Sequence, residues 1–172
     1  VLSKGKSETN KHLTSAITFR KFRYTIYPEA DSIENLLELN EGICEFTGAM
    51  MSGRNKEQMR EHFSERINAF LLNQTFIRSF PYETIPIYGY LLSQQNKNWN
   101  KEVNLNTNLC DLFIKSFGLK LNSNLNSEVK RIQSEYNGKE IIIEEDARGA
   151  KINALLTEYR NRFIINPHLE LT

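Results

Sequence analysis

Apolar residues recur every three or four positions through most of this chain, and that spacing predicts helices rather than strands. Between Asp31 and about Ser52, Leu36, Leu39, Ile43, Phe46 and Met50 share one side of a helix, with Glu38, Glu41 and Glu45 gathered opposite. Asp31 or Ser32 suits its cap, Glu34 its first turn, and Gly53 its stop. Ahead of it, a helix from Glu8 to Tyr27, capped by Ser7 and ended by Pro28, turns Leu13, Ile17 and Ile26 toward a core. A third helix opens at Asn55 and runs to about Leu72, with Met59, Phe63, Ile67, Phe70 and Leu71 inward.

Thr75 to Leu92 differs in kind: its aromatics stand among Pro81, Pro86 and Gly89, so a turn-rich start is expected to give way to a short helix near Pro86. Asn96 to Asn100 reads as a polar bend around Trp99, and Thr107 to Phe117 as a helix closed by Gly118. The Asn- and Ser-rich stretch from Leu119 to Asn126 is a loop and a weak boundary. Ser127 to Tyr136 is helical, Asn137-Gly138 breaks it, and Glu140 to about Arg162 forms a long final helix with Ile152, Leu155, Leu156, Tyr159 and Phe163 in phase. Glu144, Glu145 and Asp146 suit the dipole near its N-terminus. From Phe163 to Leu171, with Pro167 inside, a short extended segment is expected. The prediction is one mainly α domain over residues 1–172.

Composition changes this picture little. The 172 residues, 40% hydrophobic, suffice for a buried core, and a net charge of +1 gives no reason to expect nucleic acid or an anionic membrane surface. Arg20, Lys21 and Arg23 do alternate with Phe19, Phe22 and Tyr24, a pattern that can bind single strands, but in a short helical stretch of a neutral chain it reads as packing. No apolar run approaches the ~20 residues of a membrane span. Cys44 and Cys110 are too few for a disulfide scaffold, and Cys44 reads as a small buried thiol at the edge of the apolar face. His12, His62 and His168 lie in no ligand spacing and read as surface or packing histidines.

The stretch with chemical content is the second helix. Three glutamates on one side are most simply a solvated face. Gly42 and Gly48, however, each cost about 1 kcal/mol in a helix interior, which predicts that something approaches the backbone closely. The order Asn40-Glu41-Gly42, an acid four places on at Glu45, and then Gly48 resembles the second zinc-binding helix of the gluzincin metallopeptidases. There Asn-Glu-Gly or Asn-Glu-Ala supplies the third metal ligand, and in the thermolysin-like branch the later acid holds a metal-binding histidine. Ala16 to Arg23 and Arg78 to Tyr82 also look like the later half of bacterial proteins of this kind.

The resemblance implies the multihelical C-terminal part of a gluzincin-like fold, hydrolysing a peptide or protein substrate, in a periplasmic or secreted setting. Glu41 would ligate zinc, and Glu45 would accept a hydrogen bond from a ligand imidazole and so orient it. Tyr82 and Tyr88 are its candidates for stabilising the oxyanion, and Arg78 for contacting a substrate carboxylate. The family takes two histidine ligands and its general base from His-Glu-x-x-His, which this chain does not contain. The chain opens at Val1 without an initiator methionine, and Leu2 to Lys6 reads as the tail of one element followed by a turn. The expectation is therefore that the missing groups lie in an N-terminal part of the same protein, and that these residues alone are inactive. The alternative is a non-catalytic helical binding or structural module, a degenerate peptidase.

Overall fold

The structure is a computed structural model that describes residues 5–73 and 75–166. It is mainly helical, with no strand among the described residues. These residues form two compact units that divide between Val129 and Lys130, inside the helix Leu125–Gln133.

In the first unit, α1 (Lys6–Ile26) starts one residue before the predicted cap: Gly5 occupies that place and Ser7 lies inside the helix. α2 (Ala30–Leu37) runs through a π-turn (Glu38–Gly42) into α3 (Ile43–Met51), so the predicted second helix is continuous with one widened turn. Next comes α4 (Lys56–Phe70), whose start is a capping box: the Asn55 side chain accepts from the Gln58 N–H, and the Gln58 side chain accepts from the Asn55 N–H. α5 (Phe80–Ser93) begins earlier than expected, with Pro81 in its first turn and Pro86 inside it. A 3₁₀ turn (Trp99–Glu102) leads to α6 (Leu109–Phe117), capped by Asn108 and closed by Gly118 at φ 64°. α7 (Leu125–Gln133) opens where the Asn-rich loop ends.

The main core gathers Ile17 of α1, Phe46 of α3, Ile85 and Leu92 of α5, Trp99, and Phe113 of α6. A smaller cluster joins Ala49, Met59, Phe63 and Tyr90. Ile26, Leu71 and Cys44, all expected inward, are exposed.

The second helix corrects the sequence reading in an instructive way. Leu36 and Met50 are 55% and 41% exposed, whereas Glu38, assigned to the solvated side, is 0% exposed. The buried stripe is Glu38, Gly42, Phe46 and Ala49, also at helical spacing but with an acid and a glycine in it. The face that packs is the one that lets α5 come close. A β-carbon on Gly42 would sit 2.6 Å from Ile85 Cγ1, and one on Gly89 would sit 2.5 Å from the Phe46 ring. Each glycine thus admits a side chain from the opposite helix. Gly48, expected to mark a close approach as well, faces open space.

Gly42→Ala should therefore destabilise the first unit by about 1–3 kcal/mol through overpacking. Gly48→Ala should stabilise it by about 0.5–1 kcal/mol through helix propensity. Chemical denaturation of the two variants checks both signs.

The second unit holds a 3₁₀ turn (Ser134–Tyr136), Asn137 in the left-handed region at φ 52°, and α8 (Gly138–Arg160), which passes into a π-turn (Asn161–Ile165). Phe163 to Ile165, expected extended, are helical, and Pro167 to Leu171 fall outside the described residues, as do residues 1–4 and His168. Leu156 of α8 is 59% exposed and Phe163 of the π-turn 56%. Among the described residues, no helix is long and apolar enough to cross a membrane.

Candidate functional site

Pro86 has no N–H, so the carbonyl of Tyr82, one turn earlier in α5, lacks its helical donor. Arg66, reaching across from α4, supplies one: its Nη2 donates to Tyr82 O at 3.2 Å. The same guanidinium grips Glu83 through Nε (2.9 Å) and Nη2 (2.6 Å), and donates from Nη1 to Glu45 at 2.5 Å. One arginine thereby ties α3, α4 and α5 together around the broken turn. The two carboxylates hold Arg66 more firmly protonated than usual, led by the hydrogen bond to Glu83.

Beside this knot, the Tyr82 hydroxyl donates to Glu41 Oε2 at 2.6 Å. Glu41 sits in the π-turn, a widened geometry that recurs at functional sites. Its Oε1 has no protein partner among the described residues. The bond to Glu41 is the main reason that the Tyr82 hydroxyl holds its proton more tightly than a free phenol. Partial desolvation and the negative charges of Glu41 and Glu45 add to this, and the nearby Arg78 opposes it. Tyr82 is thus a neutral hydrogen-bond donor whose oxygen sits at a carboxylate, with a cation close by.

Of the residues singled out from the sequence, Glu41 and Tyr82 meet in a hydrogen bond, and Arg78 is near enough for its charge to act on the Tyr82 hydroxyl. Glu45 lies one turn beyond Glu41 with its carboxylate on Arg66. Tyr88 is elsewhere: its ring packs on Phe113 at 5.0 Å between centroids, and burial pushes its hydroxyl up to about 12. Arg66 and Glu83 were not visible as site residues. Pro86 inside a helical run was the available signal, because it announces an orphaned carbonyl but not which residue satisfies it.

A second polar group supports the π-turn from below. Glu38 is paired with Arg20, whose Nε donates to the Tyr24 hydroxyl. Desolvation pushes the Glu38 carboxyl above the usual range, against the pull of Arg20, and its Oε1 has no partner among the described residues. The other two bases of the aromatic-rich stretch are also engaged internally, Lys21 with Asp111 at 2.7 Å and Arg23 with Glu34 at 2.7 Å. That stretch is therefore committed to holding α1 in place.

An open polar depression of about 600 Å³ between the end of α3 and α4 is lined by Arg54, Gln58, Glu61 and His62 among others, and by neither Glu41 nor Tyr82. Desolvation and the charges of Arg54 and Arg66 lower the His62 pKa and so favour its neutral imidazole, against the opposing charges of Glu45 and Glu65.

As a metal donor, Glu41 fits the chemistry of zinc through one carboxylate oxygen. The described residues contain no group of three or more His, Cys, Asp or Glu able to hold a metal ion, so the other donors would have to come from outside them. No family model, curated protein or solved structure matches this chain.

Proposed function

We propose that this chain is the third-ligand half of a zinc-dependent peptidase of the gluzincin kind, and that a separate segment supplies two histidines and the general base. The observation that carries this reading is the hydrogen bond from Tyr82 to Glu41. Two residues 41 positions apart, on different helices, meet with complementary chemistry: a carboxylate with one oxygen open and a protonated phenol beside it. When bound, zinc would lower the pKa of a water toward 7 and polarise a carbonyl. Glu41 would hold the ion, Tyr82 would turn its single O–H from Glu41 to donate a hydrogen bond to the developing oxyanion, and Arg78 would offer a cation to a substrate carboxylate. Glu45 would act through its position on the same helix, with Arg66 fixing its carboxylate.

The test is zinc content by mass spectrometry of the longest encoded form of the protein, purified without added metal. About one zinc per chain is expected in the wild type, with loss in Glu41→Gln. Tyr82→Phe should retain the metal yet lose about 10²–10³-fold in kcat on a peptide substrate, the usual effect of deleting one oxyanion donor. A wild type that neither holds nor takes up zinc overturns the reading.

The second reading is a non-catalytic helical binding module, and one observation favours it. The Glu45 carboxylate, which the family would present to an imidazole, is already bonded to an arginine shared with Glu83. Absence of zinc uptake combined with an intact fold is its expected signature.

A further inference from the structure

We propose that α8 pairs with α8 of a second copy of this chain, side by side and antiparallel. The first observation is an apolar stripe on this helix that faces solvent. Ile152, Leu156 and Tyr159 are spaced four and three residues apart on one side of the helix, and all are about half exposed. Such spacing, at positions a and d of a heptad, is the pattern that two helices bury together.

Charge chooses the occupant. Between positions 139 and 146 the helix carries four acids and one lysine, and between 148 and 162 it carries four bases and one acid. A parallel copy would set like against like at both ends. An antiparallel copy sets acid against base at both ends, and gains each contact twice by symmetry. The register follows from the same spacing. With Leu156 of one copy against Ile152 of the other, Tyr159 faces Gly149, and Asp146 flanks Arg160. The backbone at Gly149 has open space above it, with nothing within 4 Å of where a β-carbon would stand, so there is room for the Tyr159 ring of the second copy.

Sedimentation velocity over a range of concentrations tests this on the whole chain. A reversible dimer is expected, weakening as salt rises. Leu156→Asp should raise its dissociation constant by about tenfold or more, since a half-exposed leucine would no longer be buried. Asp146→Arg and Arg160→Asp should each weaken it about three- to tenfold, and the two together should restore it, because the antiparallel pairing then re-forms each contact with the signs exchanged. Far-UV circular dichroism of each variant confirms that the helix is kept. A chain that stays monomeric at every concentration overturns the proposal, including the case in which α8 is covered within its own chain. A dimer indifferent to Leu156→Asp, or not restored by the double exchange, overturns it as well.

Discussion

Arg20→Met is expected to cost the first unit about 3–5 kcal/mol, because it leaves the Glu38 carboxylate in the interior with no countercharge. The pair is well enclosed, with the Arg20 side chain 12% exposed and that of Glu38 fully buried. Glu38 already lacks a partner for one oxygen among the described residues, so its desolvation is incompletely offset even in the wild type. The double variant Arg20→Met/Glu38→Leu should therefore recover most of the loss, since apolar replacement of a whole buried pair is often neutral or stabilising. Equilibrium denaturation of the three proteins is the measurement, and a double variant as unstable as the single would sink the argument.

The same pair predicts a pH dependence. The Glu38 pKa is raised in the folded state, so the folded protein binds this proton more tightly than the unfolded chain does. Its stabilising contribution is complete below the unfolded value of about 4.3 and is lost as pH rises through the folded pKa. A declining component of stability above about pH 4.3 is expected in the wild type and should be absent from the double variant.

Phe113→Ala is expected to cost a similar amount, about 3–5 kcal/mol. Phe113 is fully buried at the meeting point of three other rings, with centroids 5.0 Å from Tyr88, 6.0 Å from Trp99 and 6.3 Å from Phe117. Truncation removes the ring and leaves a cavity lined by large side chains that cannot collapse into it without leaving their rotamers. Tyr88 loses a packing surface in the same step, while Tyr82, on the other side of α5, keeps its bond to Glu41. The expected result is therefore a large fall in denaturation midpoint and, on the proposed zinc reading, an unchanged zinc content. If the metal reading holds but Phe113→Ala also abolishes zinc binding, the site is coupled to this core more tightly than the packing suggests.

Much of the fold was legible in one dimension. Apolar spacing, the Asn55 cap, Gly118 and the Asn137-Gly138 break each act within a few residues, and these local signals delimited most helices to within a turn or two. The resemblance carried by Asn-Glu-Gly singled out Glu41, Tyr82, Tyr88 and Arg78, and the structure joins Tyr82 to Glu41 by a hydrogen bond while Tyr88 packs on Phe113.

What the tertiary structure alone decided is which faces are buried and who meets whom. Glu38 is interior because Arg20, eighteen residues away, neutralises it, and because the slender face carrying Gly42 is the one that α5 can approach. Arg66 holds Glu45, Glu83 and the Tyr82 carbonyl because Pro86 left that carbonyl open within its reach. Periodicity weighs side chains by their hydrophobicity along a single helix. Burial is settled between helices, where a glycine's missing side chain or a distant countercharge can outweigh an exposed leucine.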